Sequence, residues 1–300
     1  MKKDKLFGKK VMPLHLMMLV PVVLLVIFAY VPMAGVVMAF QDYQPGLGFF
    51  GSPWVGLKHF QYLFSLPNFG QVIWNTVYIA FMKIVANIVV PVVFALLLNE
   101  VRTRWFKRTV QTITYLPYFL SWVIFAGIIA DFLAMDGPVN NIITGLGGQS
   151  VYFLGNAQTF PYVLVVTDVW KNFGFNTIIY LAALTGIDPN LYEAASVDGA
   201  GRLRQTWHIT MPGLVPMVAL MSILSIGSIL SAGFDQVFNL YSPMVYSTGD
   251  ILDTFIYRVG LDNAQYAVST AVGLFKSVVS MVLILTSHKL AEKFAGYRVF

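Results

Sequence analysis

Residues 188–212 read DPNLYEAASVDGAGRLRQTWHITMP, with an apolar run on either side. Asp188 favours an N-cap, and Pro189 suits the first position of a helix. Gly199 is suited to ending one. Because these signals bound it at both ends, the stretch predicts a short helix of about ten residues inside a loop. Residues 202–210 predict a second short helical piece ahead of the next apolar run.

Six apolar windows are long enough to cross a membrane, since about 20 apolar residues span its hydrocarbon core. The windows are 14–39, 73–98, 111–134, 161–184, 213–233 and 268–290. The chain is 57% hydrophobic and only 11% charged, whereas a soluble domain carries about 25% charged residues. The sequence therefore predicts an all-α polytopic membrane protein with six transmembrane helices. We expect a single domain over 1–300, with its core over 70–290 and the loop 188–212 between helices four and five.

Basic residues are concentrated in alternate connections between these windows. The two chain ends and the connections after windows two and four hold 14 of the 19 lysines and arginines. Connections 40–72, 135–160 and 234–267 hold only Lys58 and Arg258. By the positive-inside rule, both termini and the loop 188–212 are predicted to be cytoplasmic. The same distribution explains the net charge of +5, so no nucleic-acid partner is expected.

Several kinds of chemistry are excluded by composition. The chain has no cysteine, so it forms no disulfide and no thiolate metal site. Its four histidines lie far apart in the sequence and form no zinc-type pair. No G-x-x-x-x-G-K-[ST] phosphate loop is present. If ATP drives this protein, another chain hydrolyses it, and no cofactor or metal is expected here.

The predicted helix of the loop 188–212 has features of a docking element. Ala194 and Ala195 give it a face with little side-chain bulk, which lets a partner surface approach closely. Glu193 and Asp198 offer charges that can set the register of a contact. On the residues alone, the alternative is an ordinary loop helix on the membrane surface.

The spacing of this loop resembles that of permeases from binding-protein-dependent ABC importers. Their loop contains Glu-Ala-Ala, three residues, Gly, nine residues, Ile, any residue and Leu-Pro. The matching residues here are Glu193, Ala194, Ala195, Gly199, Ile209, Met211 and Pro212. Only Met211 departs, replacing leucine with a side chain of similar volume.

The resemblance implies a role for each of these residues. Residues 189–199 would form a coupling helix that docks in a cleft of a cytoplasmic ATPase, with Glu193 as a polar contact. The ATPase-coupling set is Glu193, Ala194, Ala195, Asp198, Gly199, Ile209 and Pro212. The implied partners are a second homologous permease, two ATP-binding cassette subunits that bind ATP and Mg, an extracellular solute-binding protein and membrane lipid.

Segments outside the loop resemble the carbohydrate branch of this family, and most closely its permeases for complex oligosaccharides and polysaccharide fragments. The segments that carry this likeness are 55–60, 74–76, 97–102 and 179–184. The branch implies an oligosaccharide substrate and a bacterial cytoplasmic membrane. It does not identify the sugar.

Polar residues in the fourth window are the leading candidates for the substrate pathway. Asp168 and Lys171 are three residues apart and could pair on one helix face. Nearby stand Trp170, Asn172 and Asn176, and an aromatic platform beside amides suits a sugar ring with an apolar face and a polar rim. The alternative is a structural ion pair that faces the helix bundle.

The end of the fifth window supplies second-rank pathway candidates. Gly233 is expected to break the helix, and broken backbone at membrane depth is tolerated where it lines a cavity or protein. Asp235, Gln236 and Asn239 follow it, although a simple outer loop explains them equally well. A sharper hypothesis joins Lys83, Lys171 and Lys276 into a cation-lined path for acidic sugars. The alternative is that these lysines snorkel or bind carbonyl groups.

Three other functions remain open on the sequence. A secondary transporter driven by an ion gradient would need carboxylate or histidine relays, and Asp168 is the only clear mid-span carboxylate. A membrane enzyme for lipid-linked sugars would need clustered acidic or histidine residues at one interface, and none appear. An ABC permease for a non-sugar solute fits the loop and is disfavoured only by the branch resemblance.

Overall fold

A computed structural model describes residues 12–227 and 229–295, without the side chains of 290–295. The regular elements within those ranges are helices, apart from one isolated β bridge between Gln41 and Trp54. The main helices are α1 Met12–Phe40, α2 Lys58–Ser65, α3 Phe69–Glu100, α4 Arg104–Phe119, α5 Trp122–Phe132, α6 Pro138–Gly145, α7 Phe160–Thr185, α8 Pro189–Val197, α9 Arg202–Ile226, α10 Phe234–Leu240, α11 Leu252–Tyr257 and α12 Tyr266–Ala295. The all-α prediction is confirmed. Part of the orientation argument depends on the five lysines between positions 2 and 10 and on Arg298, which lie outside the described residues.

Helices stand at all six predicted windows. In the described part of the chain, α1, α3, α9 and α12 are long and apolar enough to cross a membrane. The pair α4 and α5 forms a fifth candidate, bent by 108°. Helix α7 has 26 residues and packs along α3, but its sequence is more polar. The count of six spans and the single domain therefore stay predictions.

The helix in the third predicted window, 111–134, is bent. The helix tightens into a 3-10 turn over Leu116–Phe119, where Pro117 has no backbone N–H to continue the ladder. Leu120 and Ser121 then adopt extended backbone. The Ser121 hydroxyl accepts a hydrogen bond from Ile124 N–H at 3.3 Å and starts α5 in a new direction.

The sequence predicts a separate short helical piece over 202–210, and this prediction is wrong. These residues open α9, which continues without a break to Ile226. A wide π turn over Thr206–Thr210 precedes Pro212, and such a turn lets the helix absorb a proline that cannot donate a hydrogen bond.

Three apolar clusters hold the bundle together. One joins α3, α7 and α9 through Val92, Ala95, Tyr180, Leu184 and Leu214, next to the loop that carries α8. A central cluster packs α5 and α7 against the segment that follows α9, and a third packs α2, α3 and α11 against α12. In α1, by contrast, every residue from Met12 to Met33 is exposed, as expected of a helix immersed in lipid.

Candidate functional site

Helix α8 is bounded as the sequence predicts. The Asp188 carboxylate accepts a hydrogen bond from Asn190 N–H at 3.0 Å, which satisfies one free donor of the first turn. At the other end Gly199 has φ +76°, a left-handed conformation that glycine adopts without strain. Ala200 N–H closes the turn by donating to Ala195 O at 2.8 Å. The helix is therefore fixed at both ends.

Side-chain hydrogen bonds tie α8 to the start of α9. The hydroxyls of Tyr192 and Thr210 lie 3.0 Å apart. Gln205 Nε2 donates to Ser196 Oγ at 2.9 Å and to Ala200 O at 3.0 Å. Because both contacts cross from one helix to the other, α8 and the first turns of α9 are held as one unit.

The surface of α8 is open to a partner. Glu193, Ala194, Asp198 and Gly199 are exposed, and Ala195 is half-buried. Beside them the side chains of Val197 and Leu203 are each 89% exposed. Ile209 is half-buried and Pro212 exposed, further along α9. Small, acidic and apolar groups thus lie together on a surface that no element of the described residues covers, and such a surface is suited to docking another protein.

A buried polar network links α3, α7 and the broken end of the fifth window. Lys83 Nζ donates to Ala232 O at 2.6 Å and also to Gln236 Oε1. Asp168 Oδ1 lies 3.7 Å from the same ammonium. Gln236 Nε2 donates in turn to Leu164 O at 2.7 Å. The ammonium is therefore compensated by a carboxylate and by neutral oxygens.

Two asparagines extend this network along α3 and α7. Asn87 Nδ2 donates to Asp168 Oδ2 at 2.7 Å, and Asn176 Nδ2 lies 3.3 Å from Asn87 Oδ1. A cavity of about 190 Å³ opens beside it, between Asp168, Ser225 and Gly233. Of the predicted pathway residues, Asn176 joins this network through Asn87 and Gln236 joins it through Lys83. Sequence reasoning missed Asn87, although an asparagine in an apolar run was a visible signal.

The predicted pair of Asp168 and Lys171 is wrong, because Asp168 pairs with Lys83. Lys171 Nζ instead donates to three backbone carbonyls at the bend between α4 and α5. These are Pro117 O at 3.1 Å, Tyr118 O at 2.9 Å and Leu120 O at 2.5 Å. Pro117 O also accepts from Leu120 N–H at 3.2 Å, whereas the ammonium is the donor for Tyr118 O and Leu120 O, so Lys171 holds the bend against α7.

Two further contacts fix the same bend. The rings of Tyr118 and Phe175 stack with centroids 3.9 Å apart. A Cβ atom at Gly174 would lie 2.2 Å from Thr114 O, so only glycine allows this approach. We call Lys171, Gly174, Phe175 and their partners the bend clamp.

Trp170 lies apart from the asparagines with which it was grouped. Its ring contacts Phe125 and Phe132, with centroid distances of 5.1 Å and 6.1 Å. It lines an almost entirely apolar cavity of about 400 Å³ together with Tyr162 and Val166. Asn172 is half-buried. The expected platform of Trp170 beside Asn176 is not assembled in this structure.

The segment after Gly233 carries the remaining candidates. Gly233 has φ +94° and stands directly before α10, but α9 already ends at Ile226, so the predicted helix break at Gly233 is wrong in its position. Asp235 and Asn239 are exposed on α10, where Asn239 Nδ2 donates to Asp235 O at 2.7 Å. Lys276 forms an ion pair with Asp253.

Sequence reasoning also missed a second ion pair in this segment. Arg258 binds both oxygens of Asp250, at 3.1 Å and 2.5 Å. Burial opposes the charge of Arg258, but the Asp250 carboxylate outweighs it and holds the pKa of the guanidinium above its ordinary value. Burial, followed by the neighbouring Tyr246, raises the pKa of Tyr241 to about 12. Arg258 therefore stays charged and Tyr241 neutral at physiological pH.

A bundle of apolar helices with a buried polar network between α3 and α7 and one exposed, capped helix is typical of a membrane transport subunit that works with other proteins. Residues 87–293 match the family described as "Binding-protein-dependent transport system inner membrane component", and the chain belongs to this family. Its members are transport components rather than catalytic subunits, and they sit in the inner membrane.

Comparison with individual proteins agrees with this assignment. Over 288 residues the chain is 45% identical to the polygalacturonan/rhamnogalacturonan transport system permease protein YteP of Bacillus subtilis (strain 168), covering 96% of this chain and 90% of the relative. It superposes with a TM-score of 0.87 and 38% identity on a chain of a bacterial ABC transporter involved in the import of the acidic polysaccharide alginate, covering 95% of this chain and 97% of that one.

A second alginate transporter structure, in complex with alginate pentasaccharide-bound periplasmic protein, gives a TM-score of 0.87 at 37% identity and covers 96% of both chains. The predicted permease family is confirmed. Family membership also decides against an ion-driven secondary transporter and against an enzyme for lipid-linked sugars.

Proposed function

We propose that this chain is one permease subunit of an ATP-driven importer that moves an oligosaccharide across a bacterial cytoplasmic membrane. An extracellular solute-binding protein delivers the sugar, and a second permease completes the pore. Two ATP-binding cassette subunits bind ATP and Mg and dock on the cytoplasmic side, where both termini of this chain also lie. The observation that carries the proposal is the exposed, doubly capped α8 at the predicted cytoplasmic end.

The proposed substrate class rests on two kinds of support. The YteP relative is named for polygalacturonan and rhamnogalacturonan, and the structural relative imports alginate. Both names refer to polysaccharides. An oligosaccharide fragment is the form of such a substrate that a binding protein can deliver to a membrane pore.

The contacts of α8 explain how a docked ATPase moves the bundle. Tyr192 and Gln205 join α8 to α9, so the two move as a rigid body. Arg202 Nη1 lies 3.4 Å from Glu100 Oε2 at the end of α3. Because this ion pair is exposed, it adds little to stability, but it places the start of α9 next to the end of α3. Helix α3 carries Lys83 and its network. A displacement of α8 therefore reaches the polar centre of the bundle along α3 and α9.

The first test is co-purification after expression with neighbouring genes, followed by an ATPase assay with added oligosaccharide. We expect an ATPase subunit in the complex and ATP hydrolysis that rises with sugar and binding protein. Recovery of the chain with no ATPase subunit would contradict the importer assignment.

A second test addresses α8 itself. Glu193→Lys reverses the charge of an exposed α8 residue, and we expect it to reduce the recovered ATPase subunit at least about tenfold. The matched control is Asp42→Lys, which makes the same charge change on the exposed, predicted outer side. If the two variants recover equal amounts of the ATPase subunit, Glu193 is not part of the docking contact.

A further inference from the structure

A cavity of about 290 Å³ opens on the predicted cytoplasmic side, where α3, α8 and α9 meet. Glu100 at the end of α3 and Arg102 just after it line one wall. The unit of α8 and α9 lines the other wall, through Tyr192, Arg202, Gln205 and Thr206. None of the α8 residues assigned to the ATPase contact is among the residues that line this cavity, so the cavity is separate from the docking surface.

Two arginines line this cavity with donors that the protein leaves unused. The side chain of Arg102 is exposed and makes no hydrogen bond or ion pair with any residue that the structure describes. Arg202 has one contact, 3.4 Å from Nη1 to Glu100 Oε2, and both partners are at least half exposed. Such an exposed pair is weak. Because a guanidinium has five N–H donors, most donors of the two arginines are open to a ligand.

The polar groups on the other wall are already used within the protein. Gln205 Nε2 donates to Ser196 Oγ, the Thr206 hydroxyl donates to Arg202 O, and the Tyr192 hydroxyl is paired with that of Thr210. The arginines are therefore the groups that recognise a ligand, and Glu100 offsets only one of them. Guanidinium groups with unused donors are the preferred protein partners of phosphate, whose oxygens they bind through parallel hydrogen bonds.

Two exposed tryptophans next to the cavity indicate its depth. Trp105 stands three residues after Arg102, and Trp207 follows Thr206, with exposures of 76% and 70%. Tryptophan is enriched at the membrane–water interface, at the level of the lipid headgroups. Basic pockets between helices on the cytoplasmic side bind anionic headgroups. An anionic phospholipid of the inner leaflet therefore carries its phosphate at the height of the two arginines.

We propose that this cavity, the arginine cavity, binds a phosphate group, and that an anionic phospholipid of the cytoplasmic leaflet supplies it. The phosphate accepts hydrogen bonds from Arg102 and Arg202 and so joins the end of α3 to the unit of α8 and α9. A displacement of α8 passes to the polar centre of the bundle along these helices, so the bound lipid strengthens the coupling. That consequence rests on the proposed function, whereas the binding itself does not.

The first measurement is lipid binding by the purified full-length chain in detergent, followed by native mass spectrometry. The probes are phosphatidylglycerol, which is anionic, phosphatidylcholine, which has no net charge, and inorganic phosphate as the soluble source. We expect phosphatidylglycerol to bind more tightly than phosphatidylcholine. Arg102→Gln should weaken its binding at least about tenfold, the effect of losing a hydrogen bond to a charged group. Since Arg102 has no partner in the described chain, the variant should fold normally.

Arg104→Gln is the matched control. It removes the same charge from the same exposed connection, but Arg104 does not line the cavity. We expect at most about a fivefold loss, the long-range attraction of one basic residue to an anionic lipid. If inorganic phosphate displaces the lipid from the wild type, the phosphate site stands and its source is soluble. Equal losses in the two variants, or no binding that depends on Arg102, overturn the arginine cavity.

A second measurement tests the consequence for coupling. The complete importer is placed in nanodiscs of phosphatidylcholine with and without phosphatidylglycerol, and sugar-stimulated ATPase activity is recorded. We expect phosphatidylglycerol to raise this activity in the wild type and in Arg104→Gln, and the increase to be lost in Arg102→Gln. If the activity does not respond to phosphatidylglycerol although the chain binds it, the role in coupling is wrong.

Two outcomes separate this proposal from its neighbours. If Arg102→Gln binds lipid and phosphate normally but recovers less ATPase subunit, the cavity belongs to the ATPase contact and the phosphate site is wrong. Failure to recover any ATPase subunit with the wild type contradicts the importer function and leaves the lipid-binding result standing.

Discussion

Replacing Lys171 with methionine tests the bend clamp. The substitution keeps the length and the apolar stem of the side chain and removes only the ammonium. Three carbonyl oxygens, those of Pro117, Tyr118 and Leu120, then lose the ammonium. Pro117 O keeps Leu120 N–H as a donor at 3.2 Å, so two acceptors are left unsatisfied. They lie at a 108° bend within the predicted third span, where water is not expected to replace the lost bonds.

The expected loss follows from these contacts. An acceptor left unsatisfied in an apolar environment costs about 1–3 kcal/mol. The two acceptors, Tyr118 O and Leu120 O, set a range whose lower end is about 2 kcal/mol. The variant no longer has to desolvate an ammonium, which offsets part of the loss, so the lower end is the appropriate value. A loss of that size corresponds to a melting temperature about 4 °C lower.

The assay is thermal unfolding of the purified complex in detergent, followed by tryptophan fluorescence, together with the amount of chain in membranes. Lys58→Met is the control, because that lysine is exposed and such changes stay within about 0.5 kcal/mol. If Lys171→Met melts together with this control, the clamp is not a stabilising contact. A selective loss of charged-sugar uptake at unchanged melting temperature would return Lys171 to the substrate pathway.

Three other substitutions have distinct expected outcomes. Gly199→Ala forces a residue with a side chain into positive φ, and we expect it to destabilise the end of α8 by about 1–2 kcal/mol. The measurement is sugar-stimulated ATPase activity, which should fall. The control Gly201→Ala, at φ −68°, should leave this activity unchanged. Gly174→Val places a Cβ 2.2 Å from Thr114 O and should abolish accumulation in membranes, and normal accumulation would refute the close approach. Asp168→Asn leaves a buried ammonium without its carboxylate and should destabilise the complex by about 3 kcal/mol, measured by melting; an unchanged melting temperature would show that the network does not need this charge.

Features set by a few neighbouring residues could be predicted from the sequence. The ends of α8 follow from Asp188, Pro189 and Gly199, whose preferences act through their own backbone. The six apolar windows coincide with helices because immersion in hydrocarbon demands long apolar runs whatever their neighbours are.

Contacts between distant segments could not be predicted in this way. The spacing of Asp168 and Lys171 shows that they share a helix face, and it does not say which other helix passes by. Lys83 reaches Asp168 from α3, and Lys171 reaches carbonyls 51–54 residues earlier in the chain. Helical periodicity does not indicate which residues of other helices a side chain contacts. The same limit explains why Trp170 and Asn176 were grouped although they face different surroundings.

The distance in sequence between Lys171 and its carbonyls also bears on how the protein is made. The bend between α4 and α5 enters the membrane before Lys171 has been synthesised, since 54 residues separate Pro117 from the lysine. Until α7 arrives, Tyr118 O and Leu120 O lack the donor that Lys171 supplies, and each unsatisfied group in lipid is costly. The third and fourth spans are therefore expected to settle in the bilayer as a pair, released from the insertion machinery together rather than one after the other.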